Sequence, residues 1–278
     1  MDRVAAVQMN SSADVGENLE LAGRLLREAA DRGCRLAVLP ENFALMPKRG
    51  RDKSRHAERE GDGPIQAFLS ETAAKLGLWI VGGSIPLASD DEDRVFGATV
   101  VVDDQGARKA LYRKIHLFDV DLPDREESYR ESHSMMPGDD LVVVETPVGV
   151  LGLTICYDVR FPELYRALVE RGASLFSVPA AFTVVTGNAH WHTLLRARAI
   201  ENLAWVIAPG QFGSHADGRS TFGHSLISDP WGRIVAEQAD GNAVVVADID
   251  PDAQTRLRRE FPALSNRRLD NTHGKSID

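Results

Sequence analysis

The chain has 278 residues, 43% of them hydrophobic and 26% charged, which suits one large α/β domain or two small ones. Its formal charge of −9 argues against nucleic acid or an anionic membrane as the main partner. Only two cysteines occur, Cys34 and Cys156, so a disulfide scaffold is excluded and no Cys metal pair exists. No apolar run is long enough to span a bilayer, and the charged start Met1-Asp2-Arg3 leads into no signal-peptide core, so the cytoplasm is the expected compartment.

Arg3 to Met9 reads as a first strand. Asp14 to Ala30 carries apolar residues at helical spacing, closed by Gly33, and the strand Leu36–Leu39 follows. Cys34, between stop and strand, is expected to pack rather than react. Glu41 ends that strand, where open α/β sheets place working groups; a solvent-exposed loop acid is the competing reading. Met46 to Gly63 is polar and charged and is expected to be a loop over one rim. A helix over 64–76 and a strand over 79–83 repeat the alternation. The runs 96–102 and 107–113 flank Asp103-Asp104-Gln105-Gly106, which predicts an antiparallel hairpin.

Lys114 follows the hairpin. From Ile115 to Gly138 no period survives, and an irregular stretch of that length is usually functional or disordered. Leu141 to Thr146 and Val150 to Ile155 are strands. Phe161-Pro162-Glu163 opens a helix, because proline loses no needed N–H there and a carboxylate suits the positive end. Cys156 falls in the turn between strand and helix. A thiol there can be partly exposed, with nearby backbone N–H groups favouring the thiolate, which suits a nucleophile. A small buried core residue is the competing role. The strand 175–178, a helix 189–202, strands 204–208, 225–229, 234–237 and 244–249, and a helix after Pro251 complete the pattern. The expected architecture is one α/β domain over 1–265, a mixed sheet sandwich covered by helices, with a polar tail over 266–278.

A cysteine hydrolase needs a nucleophile, a group that moves its proton and donors for the developing oxyanion. The eight histidines nominate no Cys–His pair. His116 and His133 sit in the irregular stretch. His190 and His192 lie two apart on a predicted helix and point in different directions, which is poor metal-ligand geometry. A carboxylate near the thiol can act as base and then acid, and a lysine beside both favours their ionised forms and stabilises a substrate oxyanion. Glu41, Lys114 and Cys156 all follow predicted strands, so one rim could hold them.

Three segments, Leu39-Pro40-Glu41-Asn42, Tyr112-Arg113-Lys114-Ile115-His116-Leu117-Phe118 and Gly152 to Glu163 around Cys156, resemble in order the signatures of the nitrilase superfamily of carbon–nitrogen hydrolases. The resemblance covers nearly the whole chain. It implies a four-layer αββα sandwich that pairs into a homodimer or a higher even oligomer. It also implies Glu41 as general base, Lys114 as oxyanion stabiliser, Cys156 as nucleophile and the Tyr157 N–H as second oxyanion donor, with no metal or organic cofactor. A second glutamate lies between lysine and cysteine in that family. Glu131-Ser132 is the preferred match and Glu127-Ser128 the competing one.

Thr186 to Trp191, Leu195 to Asn202 and Gly223 to Gly232 resemble the deaminated glutathione amidase and omega-amidase branch, with Gln211 to His215 leaning toward the first. His192 stands where that branch usually has glutamate. The expected activity is hydrolysis of a small carboxylate-bearing amide through a thioester, with omega-amidase, N-carbamoyl hydrolase or nitrilase chemistry on the same site as the alternative. Phe182 is the expected pocket wall. Arg160, Arg196 and Arg198 are candidates to receive a substrate carboxylate, against structural ion pairing as their competing role.

Overall fold

The computed structural model describes residues 1–48, 51–122 and 128–268. Its helices are α1 (Val15–Asp31), α2 (Arg51–Arg55), α3 (Pro64–Leu76), α4 (Pro162–Glu170), α5 (Val184–Asn202) and α6 (Pro251–Glu260). Two mixed sheets lie between them. In the first, Ala243–Ile249, Asp2–Gln8, Leu36–Val38, Trp79–Val81, Val95–Val102 and Ile85–Ala88 run in that spatial order, and Arg108–Arg113 and Met135–Met136 also pair with Val95–Val102. In the second the order is Val143–Thr146, Gly149–Leu153, Leu175–Ser177, Trp205–Ala208, Ser225–Ser228 and Ile234–Gln238. Each sheet has a parallel centre and antiparallel flanks.

Alternation along the central strands builds the layers. Val4, Ala6, Leu36 and Val38 enter a core shared with Leu151, Leu153, Leu175 and Val206 of the second sheet. Ala5, Val7, Ala37 and Leu39 point the other way, onto Leu25 and Leu26 of α1 and Leu69 of α3. Leu164 and Leu168 of α4 and Leu195 of α5 join the second sheet's side. Neither sheet turns a face to water over its centre. The result is the αββα sandwich. Among the described residues no helix is long and apolar enough to cross a membrane.

Several elements depart from the expected pattern. Helix α5 begins at Val184, five positions before the expected start at Ala189, because Thr183 caps it by accepting from the Thr186 N–H. Gly187, outside the helix expected over 189–202, is helical, and a Cβ there would lie 2.2 Å from Phe222 Cγ. The strand Ile85–Ala88 was unanticipated because Pro86 argues against a central strand; it is an edge. The polar stretch 46–63 contains α2. The irregular stretch holds the antiparallel pair Asp119–Asp121 with Ser128–Arg130, then a 3₁₀ turn over Glu131–His133. A small pair, Phe212–Ser214 with Ser220–Phe222, was also missed, its strands being too short to show a period. The expected hairpin over 96–113 is present. Cys34 is buried, and burial pushes its thiol up to about 11, consistent with a packing role.

Candidate active site

Glu41 and Cys156 leave the carboxyl ends of parallel strands in opposite sheets, so the sandwich itself brings them face to face. Glu41 follows Leu36–Val38 through Leu39-Pro40, a turn held by Gly83. At φ +50° that glycine lies against Pro40, and a Cβ there would come within 2.0 Å of the Pro40 carbonyl oxygen. Cys156 follows Gly149–Leu153 and opens a 3₁₀ turn over Cys156–Arg160 with a left-handed φ of 47°. For a residue with a Cβ this is a costly conformation that persists only where its surroundings hold it. Here the Cys156 N–H donates to the Pro179 carbonyl at 2.8 Å.

Buried Asp158 ties that turn to the lysine segment. Its Oδ2 accepts from the Tyr112 hydroxyl at 2.7 Å and the Ile155 N–H at 2.8 Å. Its Oδ1 accepts from the His116 N–H at 3.1 Å and lies 2.7 Å from His116 Nδ1. Lys114 lies between Tyr112 and His116, so one carboxylate sets the relative position of the thiol turn and the ammonium. His116 is thereby structural, stacked on Phe161 at 3.6 Å.

The Lys114 Nζ donates to Glu41 Oε1 at 2.9 Å and to Glu131 Oε1 and Oε2 at 3.0 and 2.9 Å. Glu41 Oε2 accepts from the Ala181 N–H at 2.9 Å, and Glu131 Oε2 from the Phe118 N–H at 2.7 Å. Burial works against the Lys114 charge, but Glu131 and Glu41 outweigh it and hold the ammonium well above its usual range. Burial likewise penalises the Glu131 carboxylate, and Lys114, Lys53 and the Phe118 amide overcome this and lower its pKa.

The thiol behaves differently from expectation. Burial and the negative charge of Glu41 push Cys156 well above the usual thiol range, and Lys114 and the Ala181 amide offset only part of this. At 9% exposure it is a protonated, buried group at rest rather than a partly exposed thiolate.

These groups open onto a cavity of about 310 Å³, lined also by Tyr157, Arg160, Phe182, Thr186 and Arg219. Phe182 packs on Trp191 at 4.8 Å. Arg160 lies over the Tyr157 and Phe182 rings at 5.6 and 5.3 Å and contacts His190 Nδ1 at 3.2 Å, with no carboxylate partner among the described residues. Burial lowers its pKa. By contrast Arg130 is paired with Asp121 and Arg219 with Asp217. Arg196 donates to the Gly232 carbonyl at 2.8 Å, and Arg198 binds the Val159 carbonyl and Glu201, so both are structural.

Glu41, Lys114, Glu131, Cys156, Tyr157 and Phe182 therefore meet at one cavity; Glu127 lies outside the described residues. Lys53, the Ala181 N–H and Arg219 were missed from sequence. Lys53 sits in the charged stretch expected to be a loop over one rim; its Nζ lies 3.1 Å from Met135 Sδ and burial pulls its pKa down. No local pattern could have found the Ala181 amide, since any residue type supplies one.

An αββα sandwich with a Glu–Lys–Glu cluster against a buried thiol is the arrangement the nitrilase-superfamily signatures imply. The family profile described as carbon–nitrogen hydrolase matches residues 3–259. The chain is 41% identical over 267 residues to a deaminated glutathione amidase of Yersinia enterocolitica, covering 96% of this chain and 93% of that one. It is 40% identical over 271 residues to the deaminated glutathione amidase of Bos taurus, covering 96% and 82%. The crystal structure of Saccharomyces cerevisiae Nit3, a member of branch 10 of the nitrilase superfamily, superposes with a TM-score of 0.86 at 32% identity, covering 96% of this chain and 97% of that one. The chain belongs to the carbon–nitrogen hydrolase family of the nitrilase superfamily.

Proposed function

We propose that this protein hydrolyses the amide bond of a small carboxylate-bearing substrate through a Cys156 thioester, with deaminated glutathione as the favoured substrate. The observation that carries the chemistry is the Lys114 ammonium held between Glu41 and Glu131 beside a protonated thiol. A buried thiol with a raised pKa needs a base at the moment of attack, and Glu41 is the carboxylate whose charge acts on it most strongly. Glu41 takes the thiol proton as Sγ attacks the amide carbon. Lys114 and the Tyr157 N–H, at the open N-terminal end of the 3₁₀ turn, stabilise the oxyanion. Glu41 then protonates the leaving nitrogen, the C–N bond breaks and a thioester remains. Water attacks that thioester with Glu41 as base again, and the acid product leaves as the thiol recovers its proton. Glu131, which takes the lysine with both oxygens, keeps the ammonium aimed and charged.

Arg160 supports an anionic substrate, since a guanidinium on the cavity wall with no carboxylate partner among the described residues is a ready receptor for one. The names of the relatives point to deaminated glutathione. The test is intact-mass spectrometry and steady-state turnover of wild type and Cys156→Ala on deaminated glutathione, alpha-ketoglutaramate, an N-carbamoyl amino acid and a nitrile. Fast turnover of the first, lost in the variant, supports the proposal. An acyl adduct formed only with another substrate retains the chemistry and replaces the substrate. Turnover that survives loss of the thiol overturns both.

We further propose that the working form is a homodimer. Ile200, Trp231 and Phe261 are 48–50% exposed, and Trp231 meets Phe261 at 5.5 Å while Ile200 packs against Gly232, making one apolar patch across α5 and the end of α6.

A further inference from the structure

Outside the cavity, one ligand atom from each of His192, His224 and Glu237 lies within 4.8 Å of the other two. They come from three elements: His192 from α5, His224 from the residue before Ser225–Ser228, and Glu237 from Ile234–Gln238. Glu237 Oε1 lies 2.8 Å from His192 Nε2 and 2.6 Å from His224 Nδ1. None of the three lines the active-site cavity. His190, two positions from His192, contacts Arg160 Nη1 at 3.2 Å and is not part of this group. The partners His192 finds are distant in sequence, so no spacing rule could reveal them.

We propose that His192, His224 and Glu237 form a binding site for one divalent transition-metal ion, of the zinc, cobalt or nickel kind. Two neutral imidazoles and a carboxylate are the donor set of three-ligand zinc sites, with water in the fourth place. Tetrahedral coordination asks for ligand atoms roughly 3.3 Å apart. The two contacts to Glu237 are a little shorter than this, and all three ligand atoms lie within 4.8 Å of one another, so an outward shift of one carboxylate oxygen with adjustment of the two imidazoles admits an ion. Binding also requires each histidine to move its ring proton to the other nitrogen, leaving Nε2 of His192 and Nδ1 of His224 as donors.

The rings are held in place before any ion arrives. His224 stacks on Phe222 at 4.2 Å, and His192 meets Phe222 and His224 edge-on at 6.0 and 5.2 Å. The backbone of His224 is fixed in a left-handed conformation, and its carbonyl accepts from Trp191 Nε1 at 2.8 Å. Side-chain exposures of 29–35% leave solvent access for the ion and its water. Imidazole nitrogen favours zinc, cobalt and nickel, whereas magnesium and calcium prefer all-oxygen sites.

The test uses untagged full-length Cys156→Ala, so that no tag and no active-site thiol competes for the ion. Zinc titration by calorimetry should give one equivalent, zinc should raise the melting temperature while magnesium leaves it unchanged, and Co²⁺ should show the visible spectrum of a four-coordinate N/O site. In that background His192→Ala, Glu237→Gln and His224→Asn should each weaken zinc by more than about tenfold, the least that losing even a supporting partner costs a metal site. Asparagine tolerates the left-handed backbone at 224, Glu237→Gln is nearly isosteric, and circular dichroism checks that each variant is folded. His190→Ala should bind zinc as before. Absence of stoichiometric binding, or binding that survives loss of any one of the three ligands, overturns the site.

Discussion

At the scale of single residues, charge decides how the thiol works. Cys156 is held protonated by burial and by the negative charge of Glu41, so the same carboxylate that raises the thiol is placed to remove its proton. Glu41→Gln should therefore move two readouts in opposite directions. Turnover should fall by about 10²–10⁴-fold, the usual contribution of a general base. Alkylation of Cys156 by iodoacetamide should become faster at neutral pH and its pH profile should shift downward, because one negative charge has gone. Turnover and alkylation that both stay unchanged would remove Glu41 from the thiol's immediate environment. Glu131 makes a second prediction. Its carboxyl is held below the ordinary range in the folded state, so it stabilises the fold above its unfolded pKa, and that contribution is lost as pH falls through the folded value. Urea unfolding followed from neutral into acid pH should show a shallower loss of stability in Glu131→Gln than in wild type.

At the scale of elements, the site depends on turns that lock one strand end to another. Tyr112 closes the link from the lysine strand to the cysteine turn by donating to Asp158 at 2.7 Å. Tyr112→Phe removes a hydrogen bond to a buried carboxylate and should cost about 1.5–3 kcal/mol in urea unfolding. It should also lower kcat more than it raises KM, since it disturbs aim and not the cavity wall. Gly83→Ala meets the Pro40 carbonyl oxygen at 2.0 Å on a left-handed backbone, so it should destabilise the fold and displace Glu41 together with Pro40. An alanine variant with unchanged stability and turnover would show that the Pro40 turn does not position the base.

For the whole molecule, the sandwich buries both sheet centres and leaves the apolar patch of Ile200, Trp231 and Phe261 at the surface. A charge placed there should disfavour association while sparing the core. Trp231→Asp should turn a dimer into a monomer by light scattering after size exclusion, with far-ultraviolet circular dichroism unchanged. A wild-type monomer, or a Trp231→Asp dimer, would move the interface elsewhere or abolish it.

Much of this protein was legible along the chain. Apolar periodicity and turn residues marked the central strands and the helices α1, α3 and α4, because those signals are local and strong. The resemblance of the signature segments to a known family named Glu41, Lys114 and Cys156; the apolar runs before them placed each only after a strand and left a loop acid and a core cysteine as competing readings. Short edge strands such as Ile85–Ala88 and the early start of α5 were not readable, since proline and glycine there answer to neighbours distant in sequence. The tertiary structure alone decided three matters. It hung both oxygens of Glu131, the glutamate the resemblance already preferred, on the Lys114 ammonium, it left the thiol protonated, and it joined His192 to His224 and Glu237. The reason is common to all three: pKa and convergence depend on every charge and wall that folding gathers around a group, whereas a sequence pattern records only its neighbours along the chain.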